Sequence, residues 1–218
     1  MVNGGHIQRV LVWSGWMRLA HWLIALSVLT LLATGWLVKL APSVANSASE
    51  AHKLASIGLT LGLILRIGLL IAGPATARWK ALLPVRADID KISAMLRFYL
   101  TMGRSPLPKW YAHNPLWAPL YLFILIILVV QASSGLLMEA HPLMLGFYLP
   151  SVHDFWATVI LVFSCLHVIA VVLQDAKGTA SDVSAMINGH RIFIVEDADT
   201  MPAQDTQTIS LDQIGKPR

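Results

Sequence analysis

Apolar residues run along this chain in four long blocks separated by shorter polar segments. The blocks cover about Leu19 to Leu40, Leu54 to Ile71, Leu116 to Met138 and Phe155 to Leu173. Each is close to the roughly 20 residues an α-helix needs to cross the hydrocarbon of a bilayer. Backbone amides and carbonyls find no water there, so each segment must satisfy them internally as a helix. The pattern predicts an all-α integral membrane four-helix bundle. The first block is longer than the roughly 7–15 apolar residues of a secretory signal and is read as a retained helix. Between the second and third blocks, "ADIDKISAMLRFYL" places Ile89, Ile92, Met95, Leu96 and Tyr99 near one helical face, with Asp88, Asp90, Lys91 and Arg97 elsewhere. That spacing predicts an extra amphipathic cytoplasmic helix lying in the membrane interface. Residues 1–195 then form the membrane domain, and 196–218 form a polar, aperiodic and mobile cytoplasmic tail.

Composition agrees with a membrane chain. Of 218 residues, 56% are hydrophobic and 13% charged, about half the charged share of soluble domains. The single cysteine, Cys165, excludes an internal disulfide and any CxxC metal or covalent-haem motif. The net charge of +4 comes with no basic and aromatic surface stripe, which excludes nucleic acid as a partner. The basic residues are unevenly placed. Arg9 and Arg18 precede the first block, seven lie between Arg78 and Lys109, and Lys177, Arg191, Lys216 and Arg218 follow the fourth. Of basic residues the connection between the first two blocks has only Lys39 and Lys53, and the one between the last two has none, only the acidic Glu139 and Asp154. Basic residues stay on the cytoplasmic side, so both termini and the long connection are expected there, in a bacterial inner membrane.

Histidines then acquire depths. His153 and His167 are fourteen residues apart, nearly four helical turns and about 21 Å along the axis, so both leave one face of the fourth helix. Topology puts His52 and His153 at the outer level and His21 and His167 at the inner level, each pair on two different helices. Arg66 keeps the same fourteen-residue step from His52, and Gly35 keeps it from His21. A buried arginine costs about 2.5–3.5 kcal/mol on insertion scales. No acidic residue lies within the four blocks, so a ligand's carboxylate is the expected partner of Arg66. Two opposed imidazoles at two levels suit two b-type haems held axially from both sides. Arg18 and Arg66 are the expected propionate partners. Structural zinc fits less well, because each level offers two nitrogens and no thiolate or carboxylate. His6, His113, His141 and His190 fall in loops or tails and are read as structural.

These features resemble the prokaryotic cytochrome b561 family, which includes the cytochrome b subunits of membrane-bound nickel–iron hydrogenases. The carriers are "RLAHW" with "TG" in the first helix, "AHKLASIGLTLGLILR" in the second and "AHNPLW" before the third. The His153/His167 pair and "AMINGHR" complete them. The resemblance spans roughly Trp13 to Arg191. It implies His52 with His153 on one haem, His21 with His167 on the other, and electron exchange with a quinone. Ser14, Arg18 and Lys177 are candidate quinone contacts. The expected function is electron transfer, as a subunit of a quinone-linked respiratory oxidoreductase, between a periplasmic donor (a hydrogenase subunit or a cytochrome c) and the quinone pool. Oligomers are allowed. One alternative is a self-contained superoxide:quinone oxidoreductase, which would need a cationic funnel at the outer haem built from Lys39 and Lys53. The alternative from another class is a non-redox membrane scaffold or transporter.

Overall fold

The computed structural model describes residues 5–178 and 182–196; all but the first residue of the expected tail lies outside them. Four helices are long and apolar enough to cross a membrane: α1 (Gly15–Leu40), α2 (Ala45–Ala72), α4 (Trp117–Leu137) and α5 (Leu149–Lys177). A shorter helix, α3 (Ile89–Leu100), stands between α2 and α4, and α6 (Asp182–Asn188) follows α5. Two short ribbons complete the fold. Strand β1 (Gly5–Leu11) pairs antiparallel with β4 (His190–Glu196), and β2 (Leu143–Met144) pairs with β3 (Phe147–Tyr148).

Local chemistry sets the helix ends. The Ser14 hydroxyl caps α1 by accepting from the Met17 amide at 3.2 Å. Pro150 sits in the first turn of α5, where its missing N–H is not needed. Helices α2 and α5 begin nine and six residues before the apolar blocks they contain. The leading segment "ANSASEAHK" is polar yet tolerates a helix, and water satisfies its exposed backbone. His52 and His153 therefore stand inside regular helix, in the third and second turns respectively, rather than at a frayed end.

Packing joins two helical hairpins, α1 with α2 and α4 with α5. Within the first, Gly58 and Gly62 let α1 approach closely. A Cβ on Gly58 would lie 2.7 Å from Ser27 Oγ, and one on Gly62 would lie 2.9 Å from Ile24 Cγ1. Small residues four apart are the usual device for such approach in lipid. The hairpins meet at mid-height, where Leu59 and Leu63 of α2 join Ile124, Ile127 and Leu128 of α4 in one buried cluster. Only 11% to 33% of each apolar window is buried within the chain, which leaves most of that surface to lipid or to bound apolar groups.

The β1–β4 ribbon brings the two ends of the described chain to one end of the bundle, the base. There Arg191, 3% exposed, bonds Asp182 at 2.9 Å and donates to the Tyr111 carbonyl at 2.7 Å. Its guanidinium also lies 5.2 Å from the Trp110 ring centre. Gly189 turns the chain from α6 into β4 at φ 87°, and a Cβ there would strike the Trp13 carbonyl at 2.7 Å. At the other end, the crown, Lys39 pairs with Asp154 and Lys53 with Glu139, the latter at 3.5 Å.

Helix α3 packs on the base. Met95 and Phe98 are fully buried, while Ile89 and Leu96 are 62% and 50% exposed. The Tyr99 hydroxyl draws the helix in: it accepts from Trp117 Nε1 at 2.8 Å and also from Gln174 Nε2. Those partners lie on α4 and α5.

Candidate functional site

Two imidazoles face one another near the crown. His52 of α2 and His153 of α5 have ring centres 6.3 Å apart, with planes inclined at 64°. A metal–imidazole bond is about 2 Å, and the nitrogen stands about 1 Å from its ring centre, so two rings on one metal are about 6 Å apart. The observed spacing is that expected for two rings on one metal. Among the described residues no cluster of three or more His, Cys, Asp or Glu could hold a metal ion. Two imidazoles alone half-fill a zinc shell, whereas a porphyrin iron would bring four nitrogens of its own and could be held by these two.

Each crown ring is held by the neighbouring helix. Thr34 Oγ1 lies 2.9 Å from His52 Nδ1, and Ser134 Oγ lies 3.1 Å from His153 Nδ1. The residue after each hydroxyl is a glycine. A Cβ on Gly35 would touch the His52 ring at 3.5 Å, and one on Gly135 would press the His153 ring at 2.9 Å. Ser134 and Gly135 were not singled out in the sequence, and Thr34 entered only as part of the "TG" motif. The matched dipeptides "TG" in α1 and "SG" in α4 are the signal that was there to find.

His21 of α1 and His167 of α5 lie towards the base, within electrostatic reach of one another. The Nδ1 atoms of both rings are buried and lack a hydrogen-bond partner among the described residues. Such orphaned nitrogens are costly unless a ligand or a bridging group engages the ring. His167 stacks on Phe163, with centres 5.9 Å apart and planes at 2°, and meets the edges of Trp117 and Tyr121. All four predicted histidines therefore lie in two groups at two levels.

The arginines have protein partners as well. Arg66 is 7% exposed and donates to the Ala77 carbonyl at 2.9 Å. That bond uses one of its five donors. Arg18 donates to the Ile187 carbonyl in the last turn of α6, where a cation also complements the helix dipole. Its Nε is buried without a partner among the described residues. Both arginines thus tie down base segments and keep donors to spare.

His113, read as structural in the sequence, is packed edge-on against Trp13 at 4.9 Å and lies 6.1 Å from Tyr121, which in turn lies 5.7 Å from His167. Burial, with the Arg66 cation nearby, pushes its pKa down to about 4, so the ring is neutral at pH 7. It lines a cavity of about 400 Å³ at the base with Thr76, Lys91, Trp110, Tyr111 and Ala118.

Known proteins resemble the chain over most of its length. A probable Ni/Fe-hydrogenase B-type cytochrome subunit of Cupriavidus necator is 26% identical over 88% of this chain and 91% of its own. Proteins of the same description from Azotobacter vinelandii and Rhizobium leguminosarum are 26% and 27% identical, covering 84% and 85% of the chain and 89% and 90% of their own lengths. No solved structure matches it significantly. Residues 12–189, from the end of β1 through α6, match prokaryotic cytochrome b561. With four membrane-spanning helices and facing imidazoles, the chain belongs to that family of membrane electron-transfer cytochromes, for which b-type haem is the implied cofactor.

Proposed function

We propose that this protein is a di-haem b-type cytochrome of the bacterial inner membrane that carries electrons between a periplasmic hydrogenase and the quinone pool. The facing of His52 and His153 at 6.3 Å carries the reading, because two rings at that spacing could hold one haem iron between them. His21 and His167 would hold the second haem nearer the base. The Ni/Fe-hydrogenase relatives support the choice of hydrogenase over cytochrome c as donor. The basic residues clustered at the base support a cytoplasmic location for both termini.

Haem supplies a one-electron carrier at each level. The chain's own residues orient and insulate it. Thr34 and Ser134 hold the crown imidazoles, and Phe163, Trp117 and Tyr121 wall the His167 ring from water. Arg66 and Arg18 offer their remaining donors to propionates. Quinone reduction takes up two protons with two electrons, so its site must open to water. The base cavity beside His113 meets that need, and Trp110 and Tyr111 provide flat apolar walls for a quinone ring.

A superoxide oxidase would need unpaired cations beside the crown haem. Lys39 and Lys53 are instead in ion pairs with Asp154 and Glu139. A non-redox scaffold or transporter is not compatible with a cytochrome family. Pyridine haemochrome analysis of the purified chain tests the haem reading. Two haems are expected, with one lost and one kept in His153→Ala. Fewer than two in the wild type would refute it. Hydrogen gas added to native membranes should reduce these haems; no reduction would refute the hydrogenase donor.

A further inference from the structure

The two crown imidazoles are not held alike by chance contacts. Each meets the hydroxyl of the residue one place before a glycine, on the helix paired with its own. His52 on α2 meets Thr34 beside Gly35 on α1, and His153 on α5 meets Ser134 beside Gly135 on α4. A hydroxyl has one proton to give. The Thr34 hydroxyl gives it to the Thr30 carbonyl at 2.7 Å, and the Ser134 hydroxyl gives it to the Gln131 carbonyl at 3.0 Å. Towards the imidazoles both oxygens are therefore acceptors. Both Nδ1 atoms must then carry the proton, which leaves each Nε2 with its lone pair. That is the tautomer a metal requires.

An acceptor on the far nitrogen does more than choose the tautomer. It draws on the N–H proton and makes the imidazole a stronger donor to its metal. Stronger donation stabilises the oxidised iron. We propose that Thr34 and Ser134 are the positioning residues of the crown haem: they orient His52 and His153, hold them in the Nδ1–H form, and keep that haem's midpoint potential below the value the same two rings would set without the hydroxyls. Of the adjacent glycines, Gly135 leaves room for its ring, since a Cβ there would lie 2.9 Å from His153, whereas a Cβ on Gly35 would make only an ordinary contact with His52 at 3.5 Å. The base level has no counterpart, because neither His21 Nδ1 nor His167 Nδ1 has a partner among the described residues. The base haem therefore serves as the internal reference.

The proposal rests on the reading of His52 and His153 as axial ligands, and one experiment separates the two. Haem content, midpoint potentials and low-temperature EPR spectra are measured on the intact protein as wild type, Thr34→Val, Ser134→Ala and the double variant. The expected result is two haems per chain throughout, a crown potential moved to more positive values, most in the double variant, and a shifted crown EPR signal. The base haem should stay as in wild type, and Thr34→Ser and Ser134→Thr should restore both readouts. Loss of the crown haem in Ser134→Ala that Ser134→Thr reverses supports the proposal equally. A double variant with two haems and an unmoved or more negative crown potential overturns the role of the hydroxyls and leaves the ligand pair standing. Loss that Ser134→Thr does not reverse overturns it as well. A wild type with fewer than two haems sinks the ligand reading itself, and the proposal with it.

Discussion

Gly135 and His153 are in such close register that a single methyl group on the glycine would lie 2.9 Å from the imidazole Cε1 and 3.4 Å from Nδ1. The corresponding glycine on the other side, Gly35, would place its methyl at 3.5 Å from the His52 ring, an ordinary contact. Gly135→Ala is therefore expected to displace the His153 ring and cost one of the two haems, or weaken its retention at least tenfold. Gly35→Ala should keep both. Haem content per chain after extended dialysis against apomyoglobin checks the contrast, and equal retention in the two variants would contradict it.

Arg66 is a buried cation with one acceptor among the described residues, the Ala77 carbonyl. A positive charge near a haem favours the reduced state, so Arg66→Leu should lower the midpoint potential of the base haem and leave the crown haem unmoved. A spectroelectrochemical titration resolving the two haems decides this. A base potential equal to wild type would mean that Arg66 serves only the loop at Ala77.

Arg191 links β4 to Asp182 of α6 and to the carbonyl of Tyr111. Removing one member of a buried ion pair typically costs about 3–5 kcal/mol. Arg191→Ala should loosen the base by an amount of that order, seen as a lower thermal midpoint in detergent and faster proteolysis between residues 105 and 116. Arg191→Lys should recover little, because an ammonium cannot span the carboxylate, the carbonyls and the Trp110 ring together. Full recovery by lysine would show that charge alone matters.

His113 is held near pKa 4 by burial, with the Arg66 cation adding to it, against an unfolded value of about 6.5. Between those values the unfolded chain binds a proton that the folded chain refuses, so stability falls as pH drops from about 6.5 towards 4. The loss is on the order of 2 kcal/mol near pH 5. His113→Asn should flatten that part of the stability–pH curve without changing it above pH 7. Identical slopes in wild type and variant would show that other groups dominate.

Much of the site could be read along the chain because a helix converts spacing into depth. Fourteen residues are nearly four turns, so His153 and His167, or His52 and Arg66, take their levels from sequence alone once the spans are recognised. The spans themselves follow from the cost of unsatisfied backbone in hydrocarbon. Other features left no such trace. The β1–β4 ribbon joins segments some 180 residues apart, and neither strand is long enough to announce itself. His113 looks like a loop residue until Trp13 and Tyr121 close over it.

What the sequence determined by itself was the set of four spanning helices, the two levels of histidine and the end of the bundle where basic residues collect. Those depend on length, hydropathy and helical pitch, which are local. Tertiary structure alone decided how each helix is rotated about its axis, and so which imidazole meets which hydroxyl and which glycine. In lipid the outside of a helix is as apolar as its packed face. The apolar pattern therefore carries no rotation signal, and only the close approach of neighbouring backbones sets it.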